Sequence, residues 1–365
     1  MALIEMVDIR LLDVPLSRPY KLSFGTVLAF NTLLVEVRLA DGRSGQGDGT
    51  ILTGYTDETM DQCWTAARDI APRLLGLDAD RVPAALSDWL VANPFTVSAF
   101  CTACDMARGH PTLAPGDCRV PVLGIVNTTD PARVEPEVEG LLQAGYRTIK
   151  VKVGWDVDDD LARVRQVQRL LRGKAMIRVD ANQGYKTEDG CRFAGGLEPD
   201  GIELFEQACR AGDWNAAVAV KRVATVPIML DESIYTMDDV EIAARLQVAD
   251  IIKLKLMKLG SVDALERALA RIRALGIAPV LGNGVATEVG CWMEACVAAK
   301  MLDTAGEMVG FLKQHRGLLE QPMPVQEGAI VLSAGFIPRL DAAAVDAVTI
   351  GHLRYRTSQV AVPAV

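Results

Sequence analysis

The chain has 365 residues, of which 50% are hydrophobic and 23% are charged, and its net charge at neutral pH is −9. This composition excludes wholesale disorder and argues against a general nucleic-acid binder, which normally carries a basic face. No run approaches the roughly 18 apolar residues that a membrane span needs, and the N-terminus lacks the pattern of a signal peptide. We therefore expect a soluble, cytoplasmic protein that acts on a small molecule.

The first part of the chain is predicted to be a small α+β domain, residues 1–115. Strand patterns cover 4–14 and 31–40, and helical periodicity covers 57–75, 80–91 and 96–108, with Asp57 and Asp80 as helix caps. Two further segments, 20–26 and 50–56, each contain a glycine and are predicted to be loops that close over a site. A segment rich in proline and glycine, 110–117, marks the end of this domain.

After this boundary the chain alternates short apolar runs with helical patterns. Strands are predicted at 120–126, 148–154, 176–180, 202–206, 227–231, 251–256 and 278–282, with a shorter eighth strand near 307–311. This rhythm is typical of a (β/α) barrel, which we assign to residues 116–322. Prolines 322 and 324 end the barrel, and residues 323–365 are predicted to return to the first domain through a strand at 329–332.

Charged residues recur at the ends of the predicted barrel strands. Lys152, Asp180, Glu206, Asp231 and Lys255 follow one another at intervals of 24 to 28 residues, which leaves room each time for one helix and two loops. In such a barrel the C-terminal ends of all strands surround one site. We therefore expect these five side chains to share a single pocket.

The three acids of this series indicate a metal site. Asp180, Glu206 and Asp231 offer only oxygen ligands, the set that suits Mg²⁺ and is poor for zinc. Any one of them alone could equally be a helix cap or a salt-bridge partner. Three clustered carboxylates without a cation would repel one another, so the sequence predicts a bound Mg²⁺.

The lysines indicate proton transfer. Lys150 and Lys152 project from the same face of their strand, a pattern that also occurs on exposed sheet edges, and Lys253 and Lys255 repeat this spacing. Neighbouring ammonium groups and a nearby cation lower the pKa of a lysine toward neutrality. Lysines on opposite sides of the barrel mouth could then remove the α-proton of a carboxylate substrate bound at the metal.

Nearly the whole chain resembles the enolase superfamily, specifically its muconate lactonizing enzyme subgroup. The resemblance lies in Lys150-Val-Lys152, in Asp180, Glu206 and Asp231 with their flanking residues, and in Lys255. It implies a modified TIM-type (β/α)7β barrel with an N-terminal α+β capping domain, catalytic Lys150, Lys152 and Lys255, and three Mg²⁺ ligands. It also implies that capping loops 20–26 and 50–56 cover the substrate. A homo-oligomer is expected.

Finer features resemble the branch that acts on proline derivatives. The segments 282–286 and 310–313 are similar to those of cis-3-hydroxy-L-proline dehydratase and hydroxyproline betaine 2-epimerase, whereas the Asp-x-Asp of dipeptide epimerases is missing. Glu288 falls two positions late for the acid that relatives carry after strand seven. The side chains expected to contact the substrate are Phe24, Tyr55, Asn182, Asn283 and Phe311.

The dehydratase is the first hypothesis for the activity. A betaine needs an aromatic cage, preferably with tryptophan, and only Tyr55 and Phe311 are candidates here. The alternatives are a racemase or 2-epimerase of a proline betaine or another amino-acid derivative, and a cycloisomerase. A non-catalytic metabolite-binding barrel and a metal-dependent aldolase or hydrolase are further alternatives from other classes.

Overall fold

The computed structural model describes residues 2–22, 25–52 and 57–357. The strands in these residues are β1 (Ile4–Leu22), β2 (Gly25–Leu39), β3 (Ser44–Ile51), β4 (Cys118–Pro121), β5 (Gly124–Val126), β6 (Thr148–Lys152), β7 (Met176–Asp180), β8 (Ile202–Glu206), β9 (Ile228–Leu230), β10 (Ile251–Leu254), β11 (Ala278–Leu281), β12 (Val325–Gln326), β13 (Ala329–Leu332) and β14 (Thr349–Arg356).

The α-helices in the same residues are α1 (Met60–Ile70), α2 (Val82–Ala85), α3 (Ser87–Leu90), α4 (Pro94–Ala107), α5 (Pro131–Gln143), α6 (Val157–Leu171), α7 (Thr187–Gly196), α8 (Trp214–Val223), α9 (Met237–Leu246), α10 (Val262–Ala274), α11 (Glu288–Met301) and α12 (Ala342–Val348). Short 3₁₀ helices include Leu256–Lys258 and Gly310–Lys313. Within the described ranges, none of these helices has the length and apolar character needed to cross a bilayer.

The capping domain is built on a four-stranded antiparallel sheet in the order β14-β1-β2-β3. Its first two strands are longer than predicted, because residues 20–22 pair with residues 25–27 and extend the hairpin into the expected loop. The predicted helix caps Asp57 and Asp80 are wrong. Thr59 caps α1 instead, in a reciprocal capping box with Gln62, and α2 begins after Arg81.

Three glycines on β3 allow helix α4 to lie at backbone contact on the sheet. Gly45, Gly47 and Gly49 alternate along the strand and therefore share one face. A Cβ atom on Gly47 would lie 2.2 Å from the carbonyl oxygen of Ala99 and 2.6 Å from the amide nitrogen of Ala103. The alternation of glycine in this strand thus sets the distance between helix and sheet.

We expect Gly47→Ala to destabilise the capping domain by about 1 to 3 kcal/mol, the usual cost of overpacking, because the new methyl group meets helix backbone that has no room to yield. Chemical denaturation followed by circular dichroism measures this change. Gly116→Ala is the matched control, since a Cβ there meets no atom within 4 Å. Equal denaturation midpoints for the two variants would contradict this account of the helix–sheet packing.

The second domain contains a seven-stranded parallel sheet in the order β11-β10-β9-β8-β7-β6-β5, with helices between successive strands. Its two edges meet through the segment at Gly306. The Leu123 amide donates to the Gly306 carbonyl at 3.0 Å, and the Glu307 amide donates to the Leu281 carbonyl at 3.1 Å. The curled sheet and the capping domain confirm the predicted fold class. The predicted eighth strand at 307–311 is wrong, because residues 310–313 form a 3₁₀ helix.

Two strand predictions near the base of the barrel need correction. The run 120–126 is divided between two sheets, since β4 pairs antiparallel with β13 whereas β5 pairs in parallel with β6. Strand β13, predicted to return to the capping domain, therefore belongs to a small sheet with β4 and β12. The strand that returns to the capping sheet is β14, which pairs with β1. A single apolar run does not reveal such a change of partner.

Candidate active site

The charged residues predicted at the strand ends lie at one edge of the barrel sheet. Lys152, Asp180 and Glu206 are the last residues of β6, β7 and β8, and they are aligned in register across these three strands. Asp231 and Lys255 each follow their strand, β9 and β10, by one residue. Parallel strands with regular spacing therefore bring residues that are far apart in sequence to one end of the barrel.

Four of these five residues line one pocket, and Glu206 does not, because it lies buried behind Asp180 and Asp231. The lining of this pocket comprises Tyr20 and Leu52 from the capping domain, together with Lys150, Lys152, Asp180, Asn182, Asp231, Lys253, Lys255, Asn283, Gly284, Val285 and Glu307 from the barrel. The capping domain thus forms part of the pocket wall.

The predicted substrate contacts are only partly brought together. Asn182 and Asn283 line the pocket. Phe311 does not, because its side chain is buried in the hydrophobic core of the barrel. Phe24 and Tyr55 lie outside the described residues. Tyr20, which sequence reasoning passed over, lines the pocket from β1, with the Lys313 ammonium 4.9 Å from its ring centre.

On one side of the pocket, Lys150 joins three acids. Its Nζ atom lies 2.8 Å from Asp180 Oδ2, from Glu206 Oε2 and from Glu307 Oε2. Lys152 Nζ lies 2.6 Å from the same Asp180 oxygen and also donates to the side-chain carbonyl of Asn182. Asp180 is therefore shared between the two lysines of β6.

On the other side, Asp231 is shared among three lysines. Lys255 Nζ lies 2.6 and 2.8 Å from its two oxygens, Lys253 Nζ lies 3.3 Å from Oδ2, and Lys258 Nζ lies 3.6 Å from Oδ1. Lys253 also contacts Glu206 at 3.1 Å and donates to Glu307. Glu307 thus links the two sides, because Lys150 and Lys253 both donate to its Oε2.

Lys152 and Lys255 differ in their electrostatic environment. Burial tends to lower the pKa of Lys152, but nearby negative charge, mainly that of Asp180, outweighs burial and raises it. The pKa of Lys255 is lowered well below its usual value by burial and by the neighbouring Lys258 ammonium. The expectation that the period-two partners lower each other's pKa is wrong for Lys150 and Lys253, whose pKa values are raised by the surrounding carboxylates.

The carboxylates show why a cation suits this site. Burial and the neighbouring Asp180 raise the pKa of Glu206 to about 7, and burial together with Asp231 raises that of Glu232 to about 8. Glu206 Oε2 receives no well-directed hydrogen bond from any described residue, although Lys150 Nζ is 2.8 Å away. An excess of buried oxygen ligands that repel one another is the donor set of a hard divalent cation.

The acids do not form a ready metal cage by themselves. Among residues 2–22, 25–52 and 57–357, no three Asp, Glu, His or Cys side chains converge so as to hold a metal ion. The ammonium groups explain this, since Lys150 bridges Asp180 to Glu206 and Lys253 bridges Glu206 to Asp231. The donor chemistry fits Mg²⁺, with lysines serving as the counter-charges in this arrangement.

Several residues of the site were not predicted from the sequence. Glu307 was assigned to a strand that does not exist, and Glu232 and Lys258 were not considered at all. Glu232 accepts from the Asn182 side-chain amide at 2.9 Å, and Lys258 donates to the Ile234 carbonyl at 2.8 Å. Glu232 directly follows the motif residue Asp231, and Lys258 lies three residues after Lys255, and this proximity in sequence was the available signal.

The sequence matches two family models that together cover most of the chain. Residues 6–108 match the mandelate racemase / muconate lactonizing enzyme N-terminal domain, and residues 133–336 match the enolase C-terminal domain-like family. The chain belongs to the enolase superfamily. As a member of this superfamily it is an enzyme of the lyase or isomerase class, with a small-molecule substrate.

Similar proteins with assigned activities are isomerases. Muconate cycloisomerase 1 of Rhodococcus opacus is 31% identical over 91% of this chain and 94% of its own length. The L-Lys-D/L-Arg epimerase of Methylococcus capsulatus is 32% identical over 74% of this chain and 80% of its own. A solved structure with the same fold is the dipeptide epimerase of Cytophaga hutchinsonii, complexed with Mg and the dipeptide D-Ala-L-Val. Its TM-score to this chain is 0.86, with 22% identity, and the match covers 96% of this chain and 99% of the epimerase chain.

Proposed function

We propose that this enzyme abstracts the α-proton of a small carboxylate substrate in a Mg²⁺-dependent reaction. The observation that carries the proposal is the presence of Lys152 and Lys255 in one pocket, at the ends of the second and sixth barrel strands. Strands two and six are on opposite sides of an eight-position barrel, so the two lysines approach a bound substrate from opposite faces.

Asp180, Glu206 and Asp231 are the residues that would hold the cation. They are buried, they end successive strands, and they offer only oxygen atoms. When bound, Mg²⁺ supplies positive charge that offsets the charge developing on the substrate carboxylate as its α-proton leaves. The Mg-complexed dipeptide epimerase of the same fold supports this assignment.

Each lysine has a distinct task in the proposed reaction. In its unprotonated form Lys152 Nζ takes the α-proton of an L-configured substrate, and the Asn182 side-chain carbonyl that accepts from it orients the amine. Lys255, on the opposite face, acts as the acid that protonates the departing hydroxide in a dehydration or as the second acid–base group in an epimerisation. Lys150 remains bound among Asp180, Glu206 and Glu307 and holds these acids in position.

The finer proposal is dehydration of a hydroxyproline such as cis-3-hydroxy-L-proline. In this reaction Lys152 removes the α-proton from one face, the carbon–oxygen bond breaks on the other, and the protonated Lys255 donates a proton to the departing hydroxide, so that water leaves and a carbon–carbon double bond forms. In the cis isomer the hydroxyl shares a ring face with the carboxylate, so the α-proton and the leaving group lie on opposite faces and both lysines are needed. The pocket lining supports a small ring acid, because its charged groups can bind the carboxylate and its apolar Leu52 and Val285 can contact the ring.

A direct assay with cis-3-hydroxy-L-proline tests the dehydration. The unsaturated product rearranges to a cyclic imine, which borohydride reduces to proline, and the proline is quantified by chromatography. We expect Mg²⁺-dependent proline formation from the cis isomer and little from the trans isomer, whose hydroxyl lies on the wrong face. If the enzyme does not consume the cis isomer but turns over another carboxylate, cis-3-hydroxy-L-proline is excluded as the substrate. The proposed α-proton abstraction from a carboxylate is then unaffected.

A 2-epimerase or racemase of an amino-acid derivative is the second candidate. The relatives that are epimerases favour it, as does the lowered pKa of Lys255, which suits a second base. Polarimetry with proline betaine and N-acyl amino acids distinguishes it from a dehydratase, because epimerisation changes optical rotation without releasing water. A non-catalytic binding barrel predicts binding of these compounds without either change.

A further inference from the structure

Helix α11 carries a carboxylate that the proposed reaction does not use. Glu294 lies in the middle of this helix, and every residue from Glu288 to Ala298 is buried. The Glu294 side chain is only 1% exposed. Burial raises its pKa to about 8. A buried carboxyl group in an otherwise apolar helix reduces stability unless it is fully hydrogen-bonded.

Glu294 contacts the segment that follows Lys255. Its Oε1 accepts a hydrogen bond of 2.7 Å from the amide of Leu256, the first residue of the 3₁₀ helix Leu256–Lys258. Its Oε2 has no hydrogen-bond partner among the described residues. The chain thus retains a costly, half-satisfied carboxyl group whose described hydrogen bond is to the backbone next to a proposed catalytic lysine, and which also interacts electrostatically with that lysine.

The same segment is held from the capping domain as well. Ser98 of α4 donates to the Met257 carbonyl at 2.9 Å and accepts from the Gly260 amide at 3.0 Å. Glu294 from the barrel and Ser98 from the capping domain therefore hold the Lys255 loop from two sides. The backbone at Lys152 is held separately, from helix α6, where Arg163 donates to the Lys152 carbonyl at 2.6 Å and Asp160 accepts from the Gly154 amide at 2.9 Å.

We propose that Glu294 is a positioning residue for Lys255: by accepting the Leu256 amide it fixes the backbone from which the lysine reaches the substrate. This inference rests on the proposed function, because it assigns Lys255 a part in proton transfer. Reacting groups must be held to within a fraction of an ångström, so releasing this backbone lowers transfer through Lys255 and leaves transfer through Lys152 intact.

Glu288 provides a matched control on the same helix. It is also a buried carboxylate, 2% exposed, and it also accepts a backbone amide, that of Leu318, at 2.6 Å. Leu318 lies in a loop that contributes nothing to the lining of the pocket. Replacing Glu288 therefore reproduces the loss of a buried carboxylate and its backbone contact without disturbing the Lys255 loop.

The test compares Glu294→Leu, Glu294→Gln and Glu288→Leu with the unaltered enzyme, with Mg²⁺ present throughout. Hydrogen exchange of the Leu256 amide reports the contact itself. The variants Lys152→Ala and Lys255→Ala first show which substrate enantiomer depends on which lysine. Deuterium uptake at the α-carbon of each enantiomer in heavy water then reports proton transfer through each lysine separately.

In Glu294→Leu we expect the Leu256 amide to exchange about tenfold faster and Lys255-dependent uptake to fall about tenfold or more, with Lys152-dependent uptake within about twofold of the unaltered enzyme. Glu294→Gln keeps an oxygen acceptor and should restore both. Unchanged exchange of the Leu256 amide in Glu294→Leu overturns the inference. An equal loss of Lys152-dependent and Lys255-dependent uptake in Glu294→Leu also overturns it. A selective loss of Lys255-dependent uptake in Glu288→Leu would overturn it as well.

Failure of the proposed function is recognised separately. If the unaltered enzyme shows no lysine-dependent uptake with any carboxylate that it binds, the proton-transfer reaction is excluded. The Leu256 amide measurement needs no turnover, so it still decides whether Glu294 holds this loop.

Discussion

Replacing Lys255 by methionine should lower kcat by about a thousandfold, within the usual range for removing a positioned acid or base. Methionine keeps the length of the side chain and removes only the ammonium group. Asp231, its partner at 2.6 Å, retains Lys253 at 3.3 Å and Lys258 at 3.6 Å as counter-charges. We therefore expect the fold to survive, and steady-state kinetics together with thermal unfolding measure the two effects.

Lys174→Met is the control for this substitution, because it removes an exposed lysine far from the pocket. It should leave kcat unchanged. A kcat for Lys255→Met within a few fold of the unaltered enzyme, measured with a substrate that is turned over, would show that Lys255 takes no part in the slow step.

Replacing Glu206 by glutamine should weaken Mg²⁺ binding by at least about 100-fold, the effect of losing even an outer-sphere partner of a metal ligand, and reduce turnover accordingly. Glu206 is fully buried between Asp180 and Asp231, which makes it central to the proposed ligand set. Calorimetric titration of Mg²⁺ into chelator-treated protein measures the affinity without any substrate.

The control is Glu198→Gln, an exposed acid on the far side of β8 whose partner is Arg165. It should bind Mg²⁺ as the unaltered protein does. Full activity after exhaustive chelation, or an unchanged affinity in Glu206→Gln, would contradict the metal assignment.

The barrel was predictable from the sequence because its signals are local. Each strand is a short apolar run that ends in a charged residue, and the spacing of Lys152, Asp180 and Glu206 follows from one helix per crossover. Those three residues are aligned in register in the structure, as expected of neighbouring parallel strands. The alternating glycines of β3 were visible as well, but their role depends on the helix packed against them.

What the sequence did not reveal depends on contacts between distant segments. Glu307 contacts Lys150 and Lys253 because residues 306–307 connect both edges of the barrel sheet. No local sequence pattern predicts that this segment closes the barrel. Strand β13 was placed in the capping domain for the same reason, and β14, whose residues Thr349–Arg356 are largely polar and exposed, was not predicted. Phe311 belongs to the core although it follows a pocket residue by only four positions.

The pKa expectations failed where they considered only one neighbour. The spacing of two residues correctly suggests that Lys150 and Lys152 share a face, but it says nothing about the acids opposite them. In the folded chain the net effect of Asp180, Glu206 and Glu307 exceeds that of burial and of Lys253, so the pKa of Lys150 is raised. The group with a lowered pKa, Lys255, is influenced by Lys258, three residues along the chain and on a different element.

Exchange of the α-proton in heavy water tests directly whether this enzyme abstracts the α-proton of a carboxylate. The purified enzyme with Mg²⁺ is incubated with hydroxyprolines, proline betaine and N-acyl amino acids, and deuterium at the α-carbon is measured by mass spectrometry for the unaltered protein, Lys152→Ala and Lys255→Ala. We expect Mg²⁺-dependent exchange with at least one of these carboxylates. For an L-configured substrate, this exchange should be lost in Lys152→Ala. Exchange that persists undiminished when both lysines are replaced would contradict this expectation.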